Sequence, residues 1–216
     1  MNKLLTISLS VLLFLLVSIM SLFLFSLSQT GNELLKPYVQ QKLEQKIGMP
    51  VELNTFILES GTSKLEMLVN KQAYVRIVAQ YNVWSQSFEG IYHIKADTFT
   101  HESRKLKNVD IQGNLKGVSG DIYMEGKGSA FDAKLEYRFN IIDNVPEKIV
   151  ANMQGAEFAE VLEYLGHPAL VEGKIDVDID MPDIGEDTAS GYGHVVLNKS
   201  SFNHALVKEL YDYTLP

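Results

Sequence analysis

The sequence predicts a mainly β protein. An N-terminal transmembrane helix precedes a curved antiparallel β-sheet, a groove or open sandwich, with an amphipathic helix near each end. Three observations predict it. Apolar and polar residues alternate with a period of two from Val51 to about Gly155. The links between the alternating runs are short and carry Gly, Asn, Ser or Asp, which suits hairpins and not crossovers. Only the N-terminus holds a long apolar run without a charge.

That run, residues 4–27, would as a helix at about 1.5 Å per residue reach roughly 36 Å, enough to cross a hydrocarbon core of about 30 Å. Ser26 and Ser28 could flank a cleavage site, but a signal peptide's apolar region is roughly 7 to 15 residues, which favours a retained anchor. Lys3 is the only side-chain charge before Glu33. It biases residues 1–3 to the cytoplasm and everything from residue 28 on to the other side. The expected organisation is therefore a cytoplasmic tip at 1–3, an anchor at 4–27, a juxtamembrane helix at 28–48 and an exported β-rich domain at 49–216.

The juxtamembrane helix is read over 32–47. Asn32 stands where a cap belongs, Glu33 suits the positive end of the dipole, and Leu35, Val39, Leu43 and Ile47 recur every four residues. Gly48 and Pro50 stop it, and Pro37 predicts a kink. In the run 131–141, Phe131, Ala133, Leu135, Tyr137, Phe139 and Ile141 alternate with polar residues and would share one face of a strand. Ala73, Val75, Ile77, Ala79, Tyr81 and Val83 repeat the pattern, and Phe88, Tyr92, Ile94 and Ala96 form a third run. Shorter runs lie at 51–58, 65–69, 109–115 and 122–126, with links at Ser60-Gly61, at 117–120 and at Asp143-Asn144. A second helix is read over 156–165, with Phe158, Val161, Leu162 and Leu165 on its apolar side and Glu157, Glu160 and Glu163 opposite. Strands at 174–181 and 192–198 and a last amphipathic stretch at 205–213 complete the chain.

Composition and motifs narrow the function. The 216 residues include no cysteine, so disulfide scaffolds, thiol nucleophiles and Cys-ligated metal or iron-sulfur sites are excluded. The net charge is -8, from 19 basic and 27 acidic residues. Setting Lys3 aside leaves 18 against 27, a charge of -9 on the exported part, which disfavours nucleic acid and anionic headgroups. Asp176, Asp178 and Asp180 share one strand face, but Met181 and Asp187 stand where a calcium loop needs its glycine and glutamate, so a solvated face is expected. His93, His101, His167, His194 and His204 form no zinc-ligand pair. Gly126-x-Gly128, read as lying between strands, lacks the third glycine and the helix of a dinucleotide site. The expectation is a protein that is not an enzyme and holds no cofactor or metal.

The apolar stripe is more informative. Eight or nine strands with one apolar face offer more surface than short helices can cover, and monomers rarely leave such patches bare. Either the sheet curls into a sandwich that buries its own face, or it forms a groove for acyl chains, lined by Val75, Ile77, Tyr81, Tyr92, Ile94, Leu135, Tyr137 and Phe139.

The segment Leu162-Glu163-Tyr164-Leu165-Gly166 is followed by Leu170, by Gly173-Lys174-Ile175-Asp176-Val177-Asp178-Ile179, by Gly185, and by Gly191-x-Gly193-x-Val195-x-Leu197. It resembles the C-terminal region of AsmA-like proteins. The front end is also similar: a membrane helix, an amphipathic helix with Leu34, Leu35, Val39 and Leu43, then Gly48-Met49-Pro50-Val51-Glu52-Leu53 opening the sheet. The resemblance implies an inner-membrane, single-pass anchor carrying a periplasmic β-groove in a Gram-negative envelope, a phospholipid ligand, and a role in phospholipid transport or outer-membrane maintenance. This chain is short for that family. About nine strands at some 4.8 Å span on the order of 43 Å, which suits a membrane-proximal groove assisting a larger envelope partner. The alternative is a structural adaptor subunit whose apolar face is an ordinary core or a partner interface.

Overall fold

The computed structural model describes residues 25–202 except 103, 144, 170 and 185–189. Residues 4–24 of the predicted anchor, Gly185 and the stretch at 205–213 lie outside the described residues. Among the described residues no helix is long and apolar enough to cross a membrane.

Helix α1 (Gln29–Ile47) leads into β1 (Val51–Glu59), β2 (Thr62–Val69), β3 (Ala73–Asn82), β4 (Ser87–His101), β5 (Arg104–Val118), β6 (Asp121–Ala130) and β7 (Ala133–Ile142). Then follow β8 (Val145–Glu157), the short α2 (Phe158–Tyr164), β9 (Val171–Asp183) and β10 (Ser190–Phe202). The strands form one ten-stranded antiparallel sheet in chain order, an open meander and not a sandwich of two facing sheets. Among the described residues the two helices, and no second sheet, lie against its apolar side.

The ladder turns the period of two into two chemically distinct faces. One cross-strand row reads Leu53, Met67, Val75, Ile94, Ile111, Gly128, Leu135, Met153, Val177 and Val195, one residue from each strand. The adjacent row on the opposite face reads Glu66, Arg76, His93, Gln112, Lys127, Glu136, Asn152, Asp178 and His194.

Helix α1 covers the first strands. Its Val39, Leu43 and Ile47 pack against Val51, Leu53, Met67, Val69, Ala73, Ala96 and Val109. A second cluster, Ala130, Phe131, Ala133, Ala156 and Ile175, lies under Phe158, Val161 and Tyr164 of α2. Lys107 of β5 reaches Glu160 of α2 at 2.7 Å.

Helix α1 departs from the expected reading at its start. Ser28 is the cap, its hydroxyl accepting from the Gly31 amide at 3.1 Å. Asn32 is instead buried against the edge of the sheet: its amide donates to the Leu58 carbonyl at 3.0 Å and its oxygen accepts from the Leu58 amide at 2.8 Å. One turn on, Lys36 donates to the Asn54 carbonyl at 2.9 Å. Gln40 then accepts from the Leu53 amide at 3.2 Å and Glu44 from the Val51 amide at 3.1 Å. The four-residue spacing keeps all four side chains in one line along β1, where they occupy backbone groups that an edge strand would leave bare. Pro37 does not break the helix, which runs through it. The bond it removes would end on the Glu33 carbonyl, and residues 33 and 37 are both exposed, so water can take its place.

Other differences have local causes. Phe131 and Asp132 are not strand residues but form the tight β6–β7 turn, with φ of 54° and 57°. Phe131 still points inward, edge-on to Tyr164 at 5.5 Å. Gly117 lies in β5 beside Phe88, not in a turn, and Gly126 and Gly128 lie in mid-β6, not between strands. Strand β8 was obscured by Pro146 and by the charged pair Glu147-Lys148 before Ile149, Ala151 and Met153 resume the alternation. Helix α2 starts only at Phe158, because Ala156 and Glu157 still pair with β9. Leu165, expected on its apolar side, is exposed.

The edge contacts set a test. Asn32→Ala leaves the Leu58 amide and carbonyl without partners and should lower the unfolding free energy by about 2 kcal/mol. Lys36→Ala, on an exposed contact, should change it by less than about 0.5 kcal/mol. Urea titration of the full chain in mild detergent measures both, and equal effects would show that the Asn32 contacts do not hold the edge.

Candidate functional site

The predicted groove residues all fall on the apolar face, but they divide by their cover. Val75 and Ile94 pack into the cluster under α1, and Leu135 into the one under α2. Ile77, Tyr81, Tyr92, Tyr137 and Phe139 belong to neither. Phe139 shares its row with Leu115, Met124, Ile149 and Met181, none of them among the predicted groove residues. The apolar phase of each strand, once its register is known, identifies them. These row members are only half-buried, so the middle of the face is reachable from solvent.

At the centre of that face stands a polar bridge. Tyr92 on β4 and Tyr137 on β7 share a row with Gly113 and Gly126, which lie between them on β5 and β6. The two tyrosines extend toward each other over the glycines, and their hydroxyls meet at 2.5 Å. Tyr92 also donates to the Glu125 carbonyl at 3.1 Å, so the proton between the two hydroxyls comes from Tyr137. A β-carbon on Gly113 would stand 2.6 Å from the Tyr92 hydroxyl and 2.7 Å from the Gly126 Cα, and one on Gly126 would lie 2.9 Å from the Tyr137 ring. Both glycines are therefore required by close approach. Tyr92 keeps 4% of its surface exposed. Burial, then the hydrogen bond with Tyr137, pushes its pKa well above the ordinary tyrosine value. Tyr81 donates to the Glu59 carbonyl at 2.5 Å near the β1–β2 turn.

The opposite face carries an open cleft of about 930 Å³ between two rows of long side chains, with Arg76, His93, Lys127 and Glu136 on one side and Glu125 and Arg138 on the other. Its charges answer one another. Arg76 lies 3.6 Å from Glu66, and His93 lies 2.8 Å from Asp110. Lys127 stands across from Glu136, and Arg138 across from Glu125. Glu66 is held below the ordinary carboxylate range, first by the Thr55 hydroxyl and then by Lys64.

The aspartate stripe is not a bare solvated face. Asp176 accepts from the Gly155 amide at 2.8 Å and from Asn198 at 2.9 Å, and Asp178 accepts from Asn152. These carboxylates join β8, β9 and β10. Among the described residues no three His, Asp or Glu side chains are grouped to hold a metal ion.

Comparison with protein-family models, with characterised proteins and with solved structures finds no match to this chain. The class it defines is therefore structural: a single open antiparallel meander with one apolar face, partly roofed by two helices.

The tyrosine bridge makes a pH-dependent prediction. Because the folded-state pKa of Tyr92 is raised, the unfolded chain releases this proton first, and stability should fall as pH rises above about 10. Tyr92→Phe should lose about 1 to 2 kcal/mol at neutral pH, since it removes the partner of the Tyr137 hydroxyl and a donor to the Glu125 carbonyl. It should also show a shallower decline above pH 10 than the wild type. Urea midpoints at pH 7 and at alkaline pH measure both effects, and parallel alkaline declines would contradict the assignment.

Proposed function

We propose that this chain is a membrane-anchored, non-catalytic carrier of the AsmA-like kind, whose apolar sheet face accommodates phospholipid acyl chains on the periplasmic side of the inner membrane. The observation that carries this reading is the row Leu115, Met124, Phe139, Ile149 and Met181, half-buried and outside both helix-covered clusters, whereas all but Gly128 of the row from Leu53 to Val177 lie within them. It crosses β5–β9 without a polar side chain, and four spacings of about 4.8 Å give it a length of roughly 19 Å. A surface of that kind binds elongated apolar ligands by burial alone and leaves the charged face in water. Its length suits a groove close to the inner membrane that assists outer-membrane maintenance together with a larger envelope partner. A second reading, an adaptor that pairs through a sheet edge, is favoured by β10. Its residues are exposed throughout, Val195 and Leu197 among them.

Lipid analysis separates the two. The full chain, purified from membranes in mild detergent and extracted with organic solvent, should yield phospholipid in stoichiometric amount by mass spectrometry. Ile77→Gln and Phe139→Gln lie outside both helix-covered clusters and should fold while retaining on the order of tenfold less lipid, the effect of about 1.4 kcal/mol. A folded chain that returns no phospholipid, and crosslinks no photoactivatable phospholipid from positions 77 and 139, would reject the carrier in favour of the adaptor.

A further inference from the structure

The hydrogen bonds between α1 and β1 fix the helix direction. Asn32, near its start, meets Leu58 near the end of β1, while Glu44 meets Val51 at the strand's beginning. The start of α1 therefore lies at the rim of the sheet that holds the β1–β2, β3–β4, β5–β6 and β7–β8 turns. Phe25, the first described residue of the apolar N-terminal run, lies at this rim beside Ser28.

The same rim displays apolar side chains where turns ordinarily place polar ones. In the β3–β4 turn Val83 is 60% exposed and Trp84 98% exposed. Val118, at the end of β5, is 51% exposed, and Val145, at the start of β8, is 38% exposed. The turn that carries Trp84 is built and not frayed: the Asn82 side chain accepts from the amides of Trp84 at 3.0 Å and Ser85 at 3.2 Å. The described turn residues of this rim include Glu59, Asp121 and Asp143 but no Lys or Arg. An anionic surface would repel such a rim, and a zwitterionic one would not.

We propose that this rim is the edge of the domain that meets the membrane, with Val83 and Trp84 seated in the interfacial layer of a zwitterionic bilayer. An indole, amphipathic and flat, suits the headgroup level. The contact rests on the reading of residues 4–27 as an inserted anchor. Tethering raises the local concentration of bilayer, so a contact of a few side chains suffices. The rim then brings one border of the apolar face to the lipid surface.

Trp84 is the only tryptophan in the chain, so its fluorescence reports its own surroundings. The full chain is reconstituted into phosphatidylcholine vesicles carrying brominated acyl chains, and vesicle flotation is scored alongside emission. The proposal expects flotation, a blue-shifted emission relative to detergent-free solution in urea, and several-fold quenching compared with unbrominated vesicles. A matched chain with Trp84→Phe and His101→Trp carries its indole at the opposite rim, beyond the 15 residues of β4, whose ends lie about 46 Å apart. It should float equally and escape quenching. Flotation with an unshifted, unquenched Trp84 would overturn the rim contact and leave the anchor standing. Failure to float would overturn both. Equal quenching from Trp84 and from position 101 would show that the domain has no preferred rim.

Discussion

The hydrogen-bond demand of one edge strand organises this molecule. An outer strand presents amides and carbonyls that must find partners, and β1 finds them in Asn32, Lys36, Gln40 and Glu44, spaced one helical turn apart. That line fixes the direction of α1 and seals the sheet where the chain enters it. It also turns Val39, Leu43 and Ile47 onto the apolar rows. A helix placed by its apolar stripe alone could slide or tilt. Polar contacts to named backbone groups leave it one position.

From that fixed edge the meander grows by one hairpin at a time. Each turn hands the alternation to the next strand in phase, so one face stays apolar across the sheet and the other collects compensating charges. Glycines relieve crowding where neighbouring strands and their side chains approach closely. At Gly113 and Gly126 the absent side chains allow two tyrosines to bridge four strands and to satisfy their hydroxyls on one another and on a backbone carbonyl. The bridge divides an otherwise greasy surface, leaving Leu115, Met124, Phe139, Ile149 and Met181 in a row beyond it.

The proposed carrier role and membrane rim share this geometry. The apolar rows run across the strands, while the turns cap the strand ends, so a rim held at a bilayer would place the border of the apolar face beside lipid. Helix α2 closes the far side with the Lys107–Glu160 pair, whose hydrogen bond raises the Lys107 pKa. The neutralised charge rows of the opposite face keep that side compatible with water.

Much of this was legible in the sequence, because a strand's side-chain period is two and a helix's is near four whatever surrounds them. The alternation identified most of the strands. The eight residues expected to line a groove share one face, as the parity of their strands requires. What the sequence left open depended on partners far along the chain. Asn32 has the chemistry of a cap, and only the nearness of Leu58 diverts it to the sheet edge. Gly126-x-Gly128 looks like a link until Tyr92 and Tyr137 are seen to need the space above Gly126. Val75, Ile94 and Leu135 have the same phase as Ile77 and Phe139, and only the helices packed beside them decide which are core and which remain open. Parity follows from local backbone geometry and can be read residue by residue. Cover, capping and close approach are set by contacts between segments distant in sequence, and only the folded chain brings those together.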